Sequence, residues 1–307
     1  CARRSARGRA GRRAAGQMQR SYRIGAHTSA AGGVHRAAEE AVAIGCNTVQ
    51  VFTRSPRMWR GTSPSAESIE RLAALRAEHD LHPLAVHGCY LTNLAAGSAE
   101  VQQRSRASFR LELENARSIG ADYLVIHPGS AKGQSRQRAI AVFAAAVAEV
   151  QRGFEWGSLR LLLENTAGGG HTLGVSFPEL AALGEAVAAL CDARLGFCID
   201  TAHSFEAGYD IASEQGLRET VRSLHECLGM ENVHLLHAND SKTAFGSHHD
   251  RHESIGDGHI GADAFARILR HPQLRTKPFI LETPFIDGSH RENVRRLWEL
   301  AGQPLPG

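Results

Sequence analysis

From residue 21 onward, short runs of β-branched and aliphatic residues alternate with longer stretches whose apolar positions recur every three or four residues. The first pattern suits buried strands and the second suits amphipathic helices, because side chains alternate sides along a strand but return to one face every turn of a helix. The runs predict strands near 22–26, 48–52, 83–86, 122–127, 159–164, 195–199, 233–238 and 278–282. Helices are predicted near 31–45, 65–79, 98–119, 135–151, 177–191, 214–228, 261–270 and 290–301. Eight strands, each followed by a helix, are the signature of an α/β protein built as a single (β/α)8 TIM barrel. A doubly wound open sheet would show a glycine-rich phosphate turn after its first strand; Gly32-Gly33 follows here, without a G-x-G-x-x-G. No linker divides residues 21–303 and no repeat stands out, so one domain is expected over that range. The longest irregular stretch, 239–260, separates the seventh strand from the last crossover helix, and a loop of that length in a compact fold is usually functional.

The length of 307 residues suits one barrel, and a hydrophobic fraction of 42% suffices for its core. No run of about 18 apolar residues exists, so no membrane span is expected. Charge needs a closer look. Residues 1–20 hold seven arginines and no acid, so the net charge of +3 falls to −4 over residues 21–307. Bulk charge therefore points to no polyanionic partner, and any such partner must be held by local charge or by bound metal. Residues 1–20 read as a disordered basic segment. Because Met18 stands just before the first strand, residues 1–17 are expected to be an extraneous start; an organelle transit peptide and a basic arm with nonspecific affinity for nucleic acid are the alternatives. The six cysteines form no C-x-x-C pair, which fits reduced thiols in a cytoplasmic protein.

The candidate chemistry lies at the strand ends. At or just after the carboxyl ends of the predicted strands stand His27, His87, His127, Glu164, Asp200 with His203, His237, and Glu282, while Asp250 and His252 occupy the long loop. In a (β/α)8 barrel these ends converge on the face that carries the active site. Any one of these residues has an ordinary structural reading: a lone histidine is usually hydrogen-bonded within the fold, and Asp200 could simply cap the helix that follows it. Together they point to metal, because imidazole and carboxylate are the usual ligands of zinc and similar ions. The spacing of Asp250 and His252 lets both face one point from an extended segment. Without His27 the set has five histidines and four carboxylates. That exceeds the roughly four ligands one zinc takes, so two or three ions are needed, with at least one carboxylate shared. Such a centre carries net positive charge and attracts an anion, for which a phosphodiester is the natural candidate. The ligands define a reaction class and leave the substrate open.

The segments IGAHTSAAGG (24–33), HGCYLTNLA (87–95), HPGS (127–130), ENTAG (164–168), CIDTAHSFEAGYD (198–210), HANDSK (237–242), DRHESIGDGHIG (250–261) and LET (281–283) resemble, in this order, the endonuclease IV family of apurinic/apyrimidinic (AP) endonucleases, AP endonuclease family 2. The resemblance covers about residues 22–298. It implies three zinc ions: the first on His87, His127 and Glu164; the second on Glu164, Asp200, His237 and Glu282, with Glu164 shared and catalytic; the third on His203, Asp250 and His252. His27 matches a position near the metals that does not bind them. The implied activity, in base excision repair, is hydrolysis of the DNA backbone 5′ to an abasic site, leaving a 3′-hydroxyl and a 5′-deoxyribose phosphate without a covalent enzyme intermediate. Removal of blocking groups from 3′ ends is implied as well, the partner being double-stranded DNA with abasic sites or blocked 3′ ends and the enzyme a monomer.

By the same resemblance Arg57 enters the base stack, and Tyr90 with Leu91 fills the gap left by the missing base. Arg54 and Arg60 are expected to meet phosphates, while Trp59 reads as loop packing. The sequence departs from some relatives in HGCY, where Gly88 and Cys89 replace a more acidic turn, and in Pro56, which stiffens the arginine loop. Two other readings stand beside this one: a metal-dependent sugar isomerase or epimerase on the same barrel, and a catalytically silent DNA-binding module.

Overall fold

The structure is a computed structural model that describes residues 22–59 and 61–306. The expectations for residues 1–20 and for Arg60 lie outside the described residues.

Eight parallel strands close into a barrel: β1 (Arg23–His27), β2 (Thr48–Val51), β3 (Leu84–His87), β4 (Tyr123–Ile126), β5 (Arg160–Glu164), β6 (Leu195–Asp200), β7 (Val233–His237) and β10 (Pro278–Leu281). Each pairs with its sequence neighbour, and β10 pairs with both β7 and β1 to complete the circle. Outside lie α1 (Val34–Ala43), α2 (Ala66–Glu78), α3 (Ala99–Ser118), α4 (Arg136–Val150), α5 (Phe177–Ala188), α7 (Glu214–Leu228), α8 (Ala262–Arg270) and α9 (Arg291–Leu300). Serine starts four of these helices: Ser65, Ser135, Ser176 and Ser213 each accept a hydrogen bond from a backbone N–H three residues on. The (β/α)8 barrel expected from the hydrophobic pattern is the fold.

Two features lie outside the predicted strands and helices. Helix α6 (Thr201–Glu206) follows β6 directly, and within the long loop β8 (Asp240–Ser241) pairs antiparallel with β9 (His252–Glu253). The stretch 239–260 is therefore anchored rather than irregular. The Asp240 carboxylate, fully buried, accepts from the N–H groups of Ser241, Gly256, Gly258, Ile260 and Gly261 and shapes the turn beyond β9.

Alternation along the strands positions the site. Ala85, Val125, Leu162, Cys198, Leu235 and Ile280 form a small apolar layer separate from the main core between strands and helices. Two residues beyond each, on the same face of its strand, stand His87, His127, Glu164, Asp200, His237 and Glu282. The barrel is thus plugged by a hydrophobic layer with a polar layer directly above it, at the carboxyl ends of the strands. Gly25 belongs to this inner face; a Cβ there would lie 1.9 Å from the Thr48 carbonyl oxygen, so β1 and β2 approach each other only because residue 25 has no side chain.

Candidate metal centre

Glu164 lies at the middle of the polar layer and is completely buried. Its Oε2 is 3.3 Å from His87 Nε2 and 3.1 Å from His127 Nε2. Its Oε1 is 2.9 Å from His237 Nδ1 and 3.4 Å from His203 Nδ1. One carboxylate therefore faces two separate sets of nitrogens. His237 Nδ1 also lies 3.2 Å from Glu282 Oε2 and 3.9 Å from Asp200 Oδ2. Three groups of donor atoms lie mutually within 4.8 Å: His87, His127 and Glu164; Glu164, Asp200, His237 and Glu282; and Asp200, His203 and His252.

Asp250, half-exposed, stands over the third group, with Oδ2 3.3 Å from His203 Nε2 and Oδ1 3.4 Å from His252 Nε2. The structure thus gathers all nine residues singled out at the strand ends and in the long loop. It differs from the expected grouping in two respects: Asp200 sits within the third group as well as the second, and Asp250 stands beside the third group's histidines without belonging to the group. The reason for the first is local. Asp200 does cap α6, but with Oδ1 alone, which accepts from the His203 N–H at 2.9 Å. Its other oxygen, Oδ2, is left to face the cluster, 3.8 Å from His252 Nε2.

The imidazoles are oriented from behind. His87 Nδ1–H donates to the Gly88 carbonyl at 2.8 Å, His203 Nδ1–H to the Asn165 carbonyl at 2.9 Å, and His252 Nδ1–H to the Glu282 carbonyl at 3.2 Å. His237 Nε2–H donates to Gln50 Oε1 at 2.9 Å. A carbonyl oxygen can only accept, so each contact fixes the proton on the outer nitrogen and turns the inner lone pair toward the carboxylates.

The supporting amides were not picked out in the sequence. Gln50 also donates to Glu282 Oε1 at 2.5 Å and faces His27 Nδ1 at 3.1 Å. Asn239 donates to Asp200 Oδ2 at 2.6 Å and accepts from the Glu282 N–H at 2.7 Å. Asn165 accepts from the Asp200 N–H at 2.7 Å. The signal available for Gln50 was a lone amide inside the apolar run of β2, the one strand end without an ionisable group. His27 stands beside Glu282, with Nδ1 3.4 Å from its Oε1, and belongs to none of the three donor groups.

Electrostatics make the centre demand a cation. The ion pairs made by Glu164, Asp200, Asp250 and Glu282 among the described residues are with histidines alone. Burial pushes the Glu164 carboxyl up, but the imidazoles of His237, His127 and His203 overcome it and hold the group well below the usual carboxylate range. Asp250 is likewise brought down to about 2, burial being outweighed by His203 and His252. Conversely, burial lowers His203 and His237, yet neighbouring acids raise both well above an ordinary imidazole. Without metal, protons must occupy the inner nitrogens, because a lone pair aimed at a carboxylate at about 3 Å is repulsive. Nitrogen and oxygen donors converging on shared points, with the second nitrogens of His87, His203, His237 and His252 already satisfied, fit zinc or a similar divalent ion.

The rim of this mouth carries the loop residues. Tyr90 is 61% exposed and leans edge-on against Phe52, ring centroids 5.4 Å apart. Arg57 is exposed, Leu91 and Trp59 half-buried. Arg54 is not available to a phosphate. Its side chain is only 3% exposed and pairs at 2.6 Å with Glu112, itself 2% exposed, on α3. It also bonds Ser108 Oγ and, at 2.6 Å, the Met58 carbonyl. Because Glu112 also accepts from the Cys89 N–H at 2.8 Å, one ion pair ties the 53–59 loop to the turn that carries Tyr90.

The closed barrel with a ligand-bearing mouth defines a class: residues 38–300 match the family described as "Xylose isomerase-like TIM barrel". Curated relatives narrow it. The chain is 47% identical over 285 residues to "Probable endonuclease 4" of Solibacter usitatus, covering 92% of this chain and 98% of that one. It is 38% identical to the protein of the same name from Halothermothrix orenii, over 88% of this chain and 96% of the relative. The solved structure of endonuclease IV from Thermus thermophilus matches with a TM-score of 0.80 and 36% identity, over 91% of this chain and 99% of the other. The chain belongs to the endonuclease IV family.

Proposed function

We propose that the protein is a zinc-dependent AP endonuclease of base excision repair. It hydrolyses the DNA phosphodiester 5′ to an abasic site, giving a 3′-hydroxyl and a 5′-deoxyribose phosphate, and it clears blocking groups from 3′ ends. The observation that carries this reading is Glu164, whose two oxygens face different sets of imidazoles. His87 and His127 would hold one ion with Glu164; Asp200, His237 and Glu282 would hold a second with the same carboxylate; His203 and His252, with Asp250 above them, would hold a third. Clustered divalent ions supply activation of water and neutralisation of charge on the attacked phosphate and the leaving oxygen.

The chain's own part is to fix the ligands and to present the substrate. Gln50 and the carbonyls of Gly88, Asn165 and Glu282 hold the imidazole protons away from the centre. Arg57, Tyr90 and Leu91 act on the duplex at the lesion: an exposed ring entering the stack costs unstacking energy that is least where a base is already missing.

The test is a duplex carrying one tetrahydrofuran abasic analogue. The analogue cannot undergo β-elimination, so only hydrolysis cleaves it. Incision 5′ to the analogue with an extendable 3′ end, together with three zinc ions per chain by metal analysis, is the expected result. One manganese or magnesium per chain with no incision would move the assignment to a sugar isomerase or epimerase. Binding of the abasic duplex without incision would move it to a silent binding module.

A further inference from the structure

The segment between β10 and α9 carries an aromatic side chain that the family resemblance left without a role. Phe285 is 57% exposed, among the most exposed large hydrophobic residues described. It is nevertheless firmly presented. Ile286 and Ser289 exchange two backbone hydrogen bonds of 3.0 Å across Asp287 and Gly288, whose φ angles of 50° and 75° make a tight two-residue turn. Asn293 of α9 donates to the Pro284 carbonyl at 3.2 Å. The ring itself rests edge-on against His290, 4.6 Å between centroids, and His290 is buried. A rigid turn that holds an apolar ring in water has an unmet partner.

Its surroundings indicate which kind. Phe285 lines a cleft of about 280 Å³ together with Tyr90, Phe52, His27 and Glu282. The cleft is therefore continuous with the metal centre and with the ring expected to enter the duplex. Three aromatic side chains, Phe52, Tyr90 and Phe285, around one cleft of this size suit a single flat ring system, which stacks whatever its hydrogen-bonding edge.

We propose that Phe285 is a second stacking platform, which receives an unstacked nucleobase of the DNA beside the abasic site in the cleft it shares with Tyr90. This rests on the AP endonuclease reading. It adds a contact outside the metal ligands and outside the Arg57, Tyr90 and Leu91 loops. Displacing a neighbouring base lets the damaged backbone approach the centre, and Phe285 compensates for the stacking that base has lost.

The experiment uses the full protein with its metals and abasic duplexes that carry 2-aminopurine opposite the lesion, or one step to its 5′ or 3′ side. Rapid mixing reads fluorescence before cleavage. The unaltered protein is expected to change the signal at one of the three positions. Phe285→Ala should abolish that change and weaken abasic-duplex binding about ten-fold, as loss of one base-stacking contact does, with metal content and affinity for intact duplex unchanged. Phe285→Trp should restore both, and Phe285→Leu should not. If Phe285→Ala retains the signal and the affinity, or if leucine serves as well as tryptophan, the stacking role is overturned while the nuclease reading stands. If the unaltered protein neither binds nor cuts abasic duplex, both fall together.

Discussion

The Nε2 atom of His237 lies 2.9 Å from the amide oxygen of Gln50, and the amide nitrogen of the same glutamine lies 2.5 Å from Glu282 Oε1. Gln50 thus spans two groups proposed to bind one ion, and it is itself completely buried. Removing it frees the His237 tautomer and releases the Glu282 carboxylate. Gln50→Leu keeps similar volume but neither hydrogen bond. It should lower metal affinity about 10–100-fold, the usual cost of losing such an orienting partner. Competition with a chromogenic chelator measures this, and an affinity equal to that of the unaltered protein would remove Gln50 from the centre.

The contrast between Gln50 and His237 shows what the sequence carries. The polar layer was legible because it is written strand by strand: each apolar inner residue is followed two places on by a histidine or carboxylate, as in Ala85 and His87 or Leu162 and Glu164. The amides were not, because Gln50 and Asn239 differ from ordinary buried polar residues only through partners far away in sequence. Arg54 misled for the same reason: an arginine in a polar loop reads as solvent-facing until Glu112, 58 residues on, is brought against it. Helix α6 is missing from the predicted ranges because six residues are too few to show a helical period, although Asp200 signalled it as a cap.

Glu164 offers one oxygen to His87 and His127 and the other to His237 and His203. Glu164→Ala removes a ligand from two ion positions at once and leaves four imidazoles without their central counter-charge. Cleavage of abasic duplex should be abolished and zinc content reduced, as read by a gel assay and by elemental analysis of the same preparation. Retained cleavage rejects the shared ligand.

Tyr90 is exposed above the centre, its ring edge-on to Phe52 and tilted 5.5 Å from that of His87, and it is not one of the nine residues proposed to hold metal. Tyr90→Ala should therefore weaken abasic-duplex binding about ten-fold while metal content stays constant. An unchanged dissociation constant would take Tyr90 out of the DNA interface.

The Arg54–Glu112 pair is almost wholly buried. Breaking one side leaves an uncompensated charge in a poorly solvated place, which costs about 3–5 kcal/mol, whereas removing both charges costs far less. Arg54→Met or Glu112→Leu alone should lower stability to urea by about that amount, and the double variant should recover most of it. A double variant no more stable than the worse single one would show that the pair contributes packing rather than charge.

Proton and metal compete for the same nitrogens, so pH should act in opposite directions on the two forms of the protein. In the metal-free form His203 and His237 are raised above the ordinary imidazole value of 6.5. Their contribution to stability is complete below that value and is lost as pH rises through their folded values. Glu164 and Asp250 are lowered, so their contribution is present above the ordinary carboxylate range and is lost only in strong acid. Metal binding requires the imidazoles unprotonated and releases their protons, so the stabilisation it adds grows with pH. Between about pH 6 and pH 8, a window that begins near the unperturbed imidazole value, the Tm of chelator-stripped protein should fall. The rise in Tm on adding zinc should become larger over the same interval. A zinc-induced rise that shrinks or stays level toward pH 8 would mean that these histidines do not give up protons to the metal.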